Sequence, residues 1–152
     1  VRDLAASLGS LLLATRVGAG IAAELGSMVV TDQIDALRMC GADPVKLLVV
    51  PRFLASLLMT AVLIVLAGTI MALAGGLTAR VAFSVPYDTF FDLRLVRASD
   101  LATGLAKCAA YGAAIPIVSS YFGLAARGGS RGVGAATTRA VVGSSLAIIA
   151  LD

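Results

Sequence analysis

The chain has 152 residues, of which 59% are hydrophobic and only 14% charged, with a mean hydropathy of +0.99. Soluble domains carry about a quarter charged residues and disordered chains pair low hydrophobicity with high charge, so both classes are excluded and a membrane protein remains. The absence of histidine excludes Ser-His, Cys-His and His-metal chemistry, two distant cysteines give neither a disulfide framework nor a zinc site, and a net charge of +3 is too small and scattered for nucleic acid.

Four apolar stretches follow one another. The first runs from Leu4 to Ala23 and is broken only by Arg16. The second, Phe53 to Ala79, has no charge, and the third, Leu101 to Ala126, carries Lys107 and Pro116. The fourth is a 12-residue run, Ala140 to Leu151, ending at Asp152. A spanning helix needs about 20 apolar residues, so the first three suffice and the fourth is expected to be truncated. None alternates with period two, so a barrel is not expected. Helices satisfy every backbone group within one lipid-facing segment. The expected fold is an all-α, polytopic helical membrane bundle in a single domain over 1–152. Its spans are expected at about 2–25, 53–79, 101–126 and 140–152. The chain opens at Val1 without Met and runs straight into apolar sequence, so a fragment is expected. A missing signal peptide then means little.

If all four segments cross, 24–52 and 127–139 share one side and 80–100 lies on the other. Arg38, Lys46, Arg52, Arg127, Arg131 and Arg139 stand against Arg80, Arg94 and Arg97. The excess puts the first side in the cytoplasm.

The 24–52 segment predicts a short helix over about 31–40. Thr31 or Asp32 can cap it. Val30, Ile34 and Leu37 make one apolar face, and Asp35 and Arg38 pair at i, i+3 on the polar side. Gly41 is a natural stop, and Pro44 prevents continuation. Two readings fit: a helix lying in the headgroups, or a docking helix for a cytoplasmic partner.

Small residues recur every four positions in two spans. Ala102, Ala106, Ala110 and Ala114 form one row, with Gly104, Cys108 and Gly112 beside it. Ala14, Gly18 and Ala22 form another in the first span. Close helix packing is the reading preferred over a substrate path. Pro116 is expected to kink the third span.

Charges within spans are costly and mark function or structural pairing. Asp3 and Lys107 lie toward the same, non-cytoplasmic end and can face one cavity; snorkelling to the headgroups is the alternative. Arg16 and Glu24, eight apart, are too distant for easy contact, so Arg16 is expected to pair with another element. There is no GxxxxGK[ST] phosphate loop, and the cluster from Arg127 to Gly134 reads as a loop between spans rather than a dinucleotide motif. Ser119 and Ser120 lie about 18 Å along the helix from Lys107, too far for a Ser-Lys pair; Ser7 and Ser10 of the first span can approach it, though nothing singles them out, so an intramembrane enzyme stays as a third reading.

Longer signatures carry a resemblance. Arg16-Val-Gly-Ala-Gly-Ile-Ala-Ala-Glu-Leu-Gly26 is followed by Thr31-Asp-Gln-Ile-Asp-Ala-Leu37, Gly41-Ala-Asp-Pro44 and Val50-Pro-Arg52. Gly132-Val-Gly-Ala-Ala-Thr-Thr-Arg139-Ala-Val-Val142 completes the set. Together they resemble the MlaE/YrbE permease family over essentially the whole chain. The resemblance implies the membrane subunit of an ATP-driven ABC transporter. Such a transporter moves phospholipid with an MCE-domain protein in a bacterial inner (plasma) membrane, maintaining lipid asymmetry or importing lipid. A family permease has five spans and an interfacial helix; this chain would hold spans two to five. Implied partners are a cytoplasmic ABC ATPase, the MCE protein, a second permease copy in a homodimer or pseudo-dimer, and the phospholipid. The chain itself would be no enzyme and bind no cofactor or metal, with ATP and magnesium held by the ATPase.

The resemblance also assigns residues. The 31–40 helix becomes the ATPase-coupling helix, with Glu24, Thr31, Asp32, Ile34, Asp35, Leu37 and Arg38 as contact or hinge positions. Arg2, Asp3 and Lys107 become the lipid cavity. The family's Arg-Glu-Leu-Gly-Pro is here Arg2-Asp3-Leu4-Ala5-Ala6, which keeps the acid but loses the Gly-Pro. Thr137, Thr138 and Arg139 belong to a family-motif loop. The alternative is a non-transporting membrane scaffold that recruits partners.

Overall fold

The computed structural model describes the backbone of residues 2–83 and 98–152 and the side chains of 6–81 and 102–152. The described residues are helical, with no strand among them. Arg94 and Arg97, which enter the sidedness count, lie outside the described residues, as do the side chains of Arg2 and Asp3.

Helix α1 (Arg2–Leu13) passes through a wide π turn (Ala14–Gly18) into α2 (Ala19–Val30). Ala14, Gly18 and Ala22 are buried, so the small-residue row is a packing seam. A short helix, α3 (Gln33–Met39), follows. A second π turn (Val45–Val49) then leads into the 34-residue α4 (Val50–Phe83). Two long helices complete the chain, α5 (Ala98–Leu124) and α6 (Gly129–Leu151).

Among the described residues three segments, Ala6–Val30, Val45–Val81 and Gly129–Leu151, are long and apolar enough to cross a membrane. α4 shows why lipid is the required solvent. Leu54, Leu58, Val62, Val65, Ile70, Leu73 and Leu77 all stand exposed, and a helix apolar all round must be covered by core or bilayer. α5, at 27 residues, also has the length of a span. It is the central helix, touched by α1, α2, α4 and α6, and its Tyr111, Ser119 and Ser120 are buried. Neighbouring helices shield these groups from lipid.

The fourth span begins earlier than its apolar run predicts. α6 starts at Gly129, so the run from Ala140 is the second half of a 23-residue helix. Thr137, Thr138 and Arg139, expected in a loop, are therefore helical; the chain reverses in 125–128. Interior glycines cost a helix only about 1 kcal/mol each. The buried stripe Ala136, Ala140, Ser144 and Ile148 offsets that cost by packing.

Burial also sorts the rows in α5. Ala102 and Ala106 are exposed, whereas Cys108 and Gly112 are buried. Gly112 meets α4 closely: a Cβ there would lie 3.2 Å from the Leu57 Cα and 3.3 Å from the Thr60 Cβ.

Pro116 sits buried inside α5 and the helix runs through it. Proline has no N–H, so the carbonyl four residues earlier, at Gly112, loses its helical donor. The Ser56 hydroxyl of α4 donates to that carbonyl at 3.2 Å. Ser56→Ala should cost about 0.6–1.7 kcal/mol, the range for hydrogen bonds between membrane helices. Reversible unfolding in mixed micelles reads this directly, and an unchanged midpoint would show the bond to be idle.

Candidate functional site

Two polar assemblies lie at opposite ends of the bundle. At one end α1, α5 and α6 converge on a carboxylate. Lys107 Nζ lies 3.1 Å from Asp152 Oδ1, the Tyr111 hydroxyl donates to the same oxygen at 2.6 Å, and the Ser7 hydroxyl donates at 2.9 Å. Tyr111 is fully buried. One oxygen of the exposed Asp152 carboxylate thus takes three donors, and the Tyr111 hydrogen bond above all holds the acid below the usual carboxylate range.

Lys107 is paired with Asp152. The residues proposed with it, Arg2 and Asp3, lie in the first turn of α1, and their side chains are outside the described residues. Asp152 had no role in the sequence reading. The signal was present: α5 and α6 are antiparallel neighbours about a short turn, so a residue early in α5 meets one late in α6. Between Leu101 and Leu151 there is no Asp or Glu at all.

At the other end lies α3 and its approaches. Thr31 and Asp32 precede the helix, but neither side chain caps it. Asp32 occupies the cap position with φ 57° and makes no side-chain cap bond. The Thr31 hydroxyl instead donates back to the Ser27 carbonyl at 2.8 Å. The sharp turn from α2 forces the left-handed conformation, which Asp tolerates better than most residues. That conformation takes the place of side-chain capping.

The apolar face is as expected. Ile34 is buried, and Val30 and Leu37 are half-buried, so they seat α3 on its own chain. Asp35 and Arg38 pair at 3.3 Å on the exposed face. Gly41 ends the helix with φ +75°. Its N–H bonds the Arg38 carbonyl and the Ala42 N–H bonds the Leu37 carbonyl, a Schellman motif. Pro44 does more than stop α3. It opens the next helix, which Asp43 caps by accepting from the Val45 N–H at 3.1 Å.

Glu24 is not on α3. It sits in α2 and takes the Arg52 guanidinium of α4 at 2.7 Å, so an ion pair bridges the two spans that α3 connects. Arg16 makes no ion pair among the described residues. It stands exposed in the first π turn, contrary to the expected pairing with another element. Thr137 and Thr138 donate to carbonyls within α6, at Val133 and Gly134. Arg139 lines a cavity at this end, described below.

A chain whose described residues are helical and hold three apolar spanning segments, a core of small residues and polar groups gathered between helices is a multi-pass membrane protein. Its sequence places it more narrowly. The chain belongs to the MlaE permease family, whose model matches residues 1–152. It is 42% identical over 97% of its length to a probable ABC transporter permease protein of Rickettsia typhi. It is 40% identical, again over 97%, to a probable ABC transporter permease protein of a Synechocystis species. It is 35% identical over 99% to the chloroplastic protein trigalactosyldiacylglycerol 1 of Arabidopsis thaliana. The chain spans 58%, 57% and 44% of these relatives, respectively.

Proposed function

We propose that this chain is the membrane-spanning part of an ATP-driven lipid transporter of a bacterial inner membrane, working with a separate ABC ATPase, an MCE-domain protein and a second permease copy. The observation that carries the reading is the Lys107–Asp152 cluster, built between spans at the end of the bundle away from α3. A paired cation and anion among apolar helices suits a zwitterionic or anionic headgroup, while apolar walls take the acyl chains at about 0.8 kcal/mol per CH₂. The relatives named as ABC transporter permeases support the transporter class. The glycolipid in the Arabidopsis relative's name supports a lipid cargo. ATP and magnesium are held by the ATPase, and this chain supplies no hydrolytic group.

In this reading α3 docks on the ATPase. Its inner face is already occupied by Ile34, which leaves Asp35, Arg38 and Met39 outward. Asp35→Lys should weaken ATPase co-purification at least about tenfold, because a reversed charge in an interface costs several kcal/mol. Membrane insertion should not change. If Asp35→Lys and Arg38→Glu both leave the complex intact, α3 is a headgroup helix and the docking role fails. A scaffold, by contrast, would bring down partners without lipid and without lipid-stimulated ATPase activity.

A further inference from the structure

The α5–α6 turn holds a second site. A cavity of about 320 Å³ is lined by Phe122, Ala126, Arg127, Gly132, Ala136 and Arg139, among others. Two guanidinium-bearing side chains share it with apolar walls, and no carboxylate lines it. No acid lies anywhere from Leu101 to Leu151. At the same end of the bundle Glu24 is held by Arg52, Asp35 by Arg38, and Asp43 by the Val45 N–H, while Asp32 stands exposed in the turn before α3 and does not line the cavity. Arg127 and Arg139 make no ion pair among the described residues, and both are exposed.

The cavity is shaped by backbone as well as by charge. The turn lies against α2, where a Cβ on Gly26 would sit 3.3 Å from Ala126. The Arg127 carbonyl lies so close over Gly132 that any Cβ there would collide with it. Gly132 therefore fixes where Arg127 stands. Arg139 lies ten residues into α6. Helical side chains lean toward the N-terminus, which brings its cation back toward the turn and out of the lipid, where it would be expensive.

We propose that this cavity binds the phosphate of an anionic phospholipid from the leaflet on the α3 side, with the guanidinium groups of Arg127 and Arg139 on the phosphate oxygens and the glycerol end against Phe122 and the alanines. Guanidinium matches phosphate by paired donors, and basic pockets between spans are the form such headgroup sites take. The site does not depend on the transport reading, and it assigns a role to Arg139 in the Thr-Thr-Arg motif.

The test reconstitutes the chain in nanodiscs of phosphatidylcholine with a minor fraction of phosphatidylglycerol or cardiolipin. Lipid retained after mild detergent extraction is counted by native mass spectrometry. The Arg127→Gln/Arg139→Gln double variant should retain about thirtyfold less anionic lipid, the effect of two near-surface arginines, with phosphatidylcholine unchanged. Arg131→Gln, exposed and outside the cavity, should retain wild-type amounts. Gly132→Ala keeps every charge but displaces Arg127, and should also lose anionic lipid; circular dichroism checks its folding, and the glutamine variants stand independently if it misfolds. Equal loss in Arg131→Gln would mean diffuse attraction and would overturn the site. So would undiminished retention in the double variant. Displacement of the lipid by millimolar inorganic phosphate would reassign the cavity to free phosphate. Loss of ATPase binding with lipid retention intact would make it a protein contact.

Discussion

Gly123→Val is expected to abolish the folded bundle. Gly123 is where α5 lies on α2: a Cβ there would stand 2.9 Å from the Leu25 Cβ and 3.1 Å from both the Cα and the carbonyl oxygen of Ala22. Two of those three atoms are backbone and cannot turn aside. Leu25 and Ala22 are themselves fully buried, so the helices must separate along the seam. Overpacking of this kind costs about 3 kcal/mol, and more where backbone must move. Gly104→Ala in the same helix is the control, because nothing lies within 4 Å of Gly104. It should be neutral or mildly stabilising, by up to about 1 kcal/mol from helix propensity. Thermal unfolding in detergent, followed by far-ultraviolet circular dichroism, separates the two. A Gly123→Val protein melting with wild type would mean that α2 and α5 do not meet as described.

The second large effect concerns the Lys107–Asp152 pair, and it distinguishes structure from transport. Lys107→Met removes the ammonium from the Asp152 carboxylate, which keeps the Tyr111 and Ser7 hydroxyls, and Asp152→Leu removes the carboxylate 3.1 Å from the ammonium. Each single change should lower the thermal midpoint measurably but modestly, since these side chains keep 28% and 37% exposure and a fully buried pair would lose more. The double variant Lys107→Met/Asp152→Leu should regain most of that stability, since apolar replacement of an ion pair is often neutral. If the pair meets lipid headgroups, transfer between labelled vesicles by the assembled transporter should stay low in all three variants. Recovery of transfer in the double variant would reduce the pair to a structural strut.

Much of the fold is legible because lipid leaves few alternatives. Long charge-free runs must be helices, and α4 follows directly from Phe53 to Ala79. The short helix α3 is legible to within a residue or two because Ile34, Gly41 and Pro44 act locally. Its start is not. Thr31 and Asp32 are good capping residues, but the turn geometry sets Asp32 in a left-handed conformation and sends the Thr31 hydroxyl backwards. The start of α6 is illegible for the opposite reason. Gly128 to Gly134 reads as a turn, yet the stripe from Ala136 to Ile148 packs well enough to carry the helix through those glycines.

Long-range pairings mark the limit of pattern reading. The depth argument sets Lys107 beside the first span, and a carboxylate that meets it in the bundle belongs to a residue 45 positions away. Only the antiparallel geometry of α5 and α6 brings the two together. Glu24 and Arg52 both belong to the quoted motifs, yet nothing in their spacing announces a 2.7 Å contact. Ser56 answering the carbonyl freed by Pro116 is of the same kind: the need is legible in α5, the donor is not.

The Glu24–Arg52 bond closes the elbow between α2 and α4 into a ring, with α3 hanging from it like a stirrup. A stirrup fixed at both straps divides its load: any force applied to α3 reaches two spans together instead of swinging one. Cutting either strap, by Glu24→Gln or Arg52→Gln, would leave α3 seated on Ile34 but let α2 and α4 yield separately.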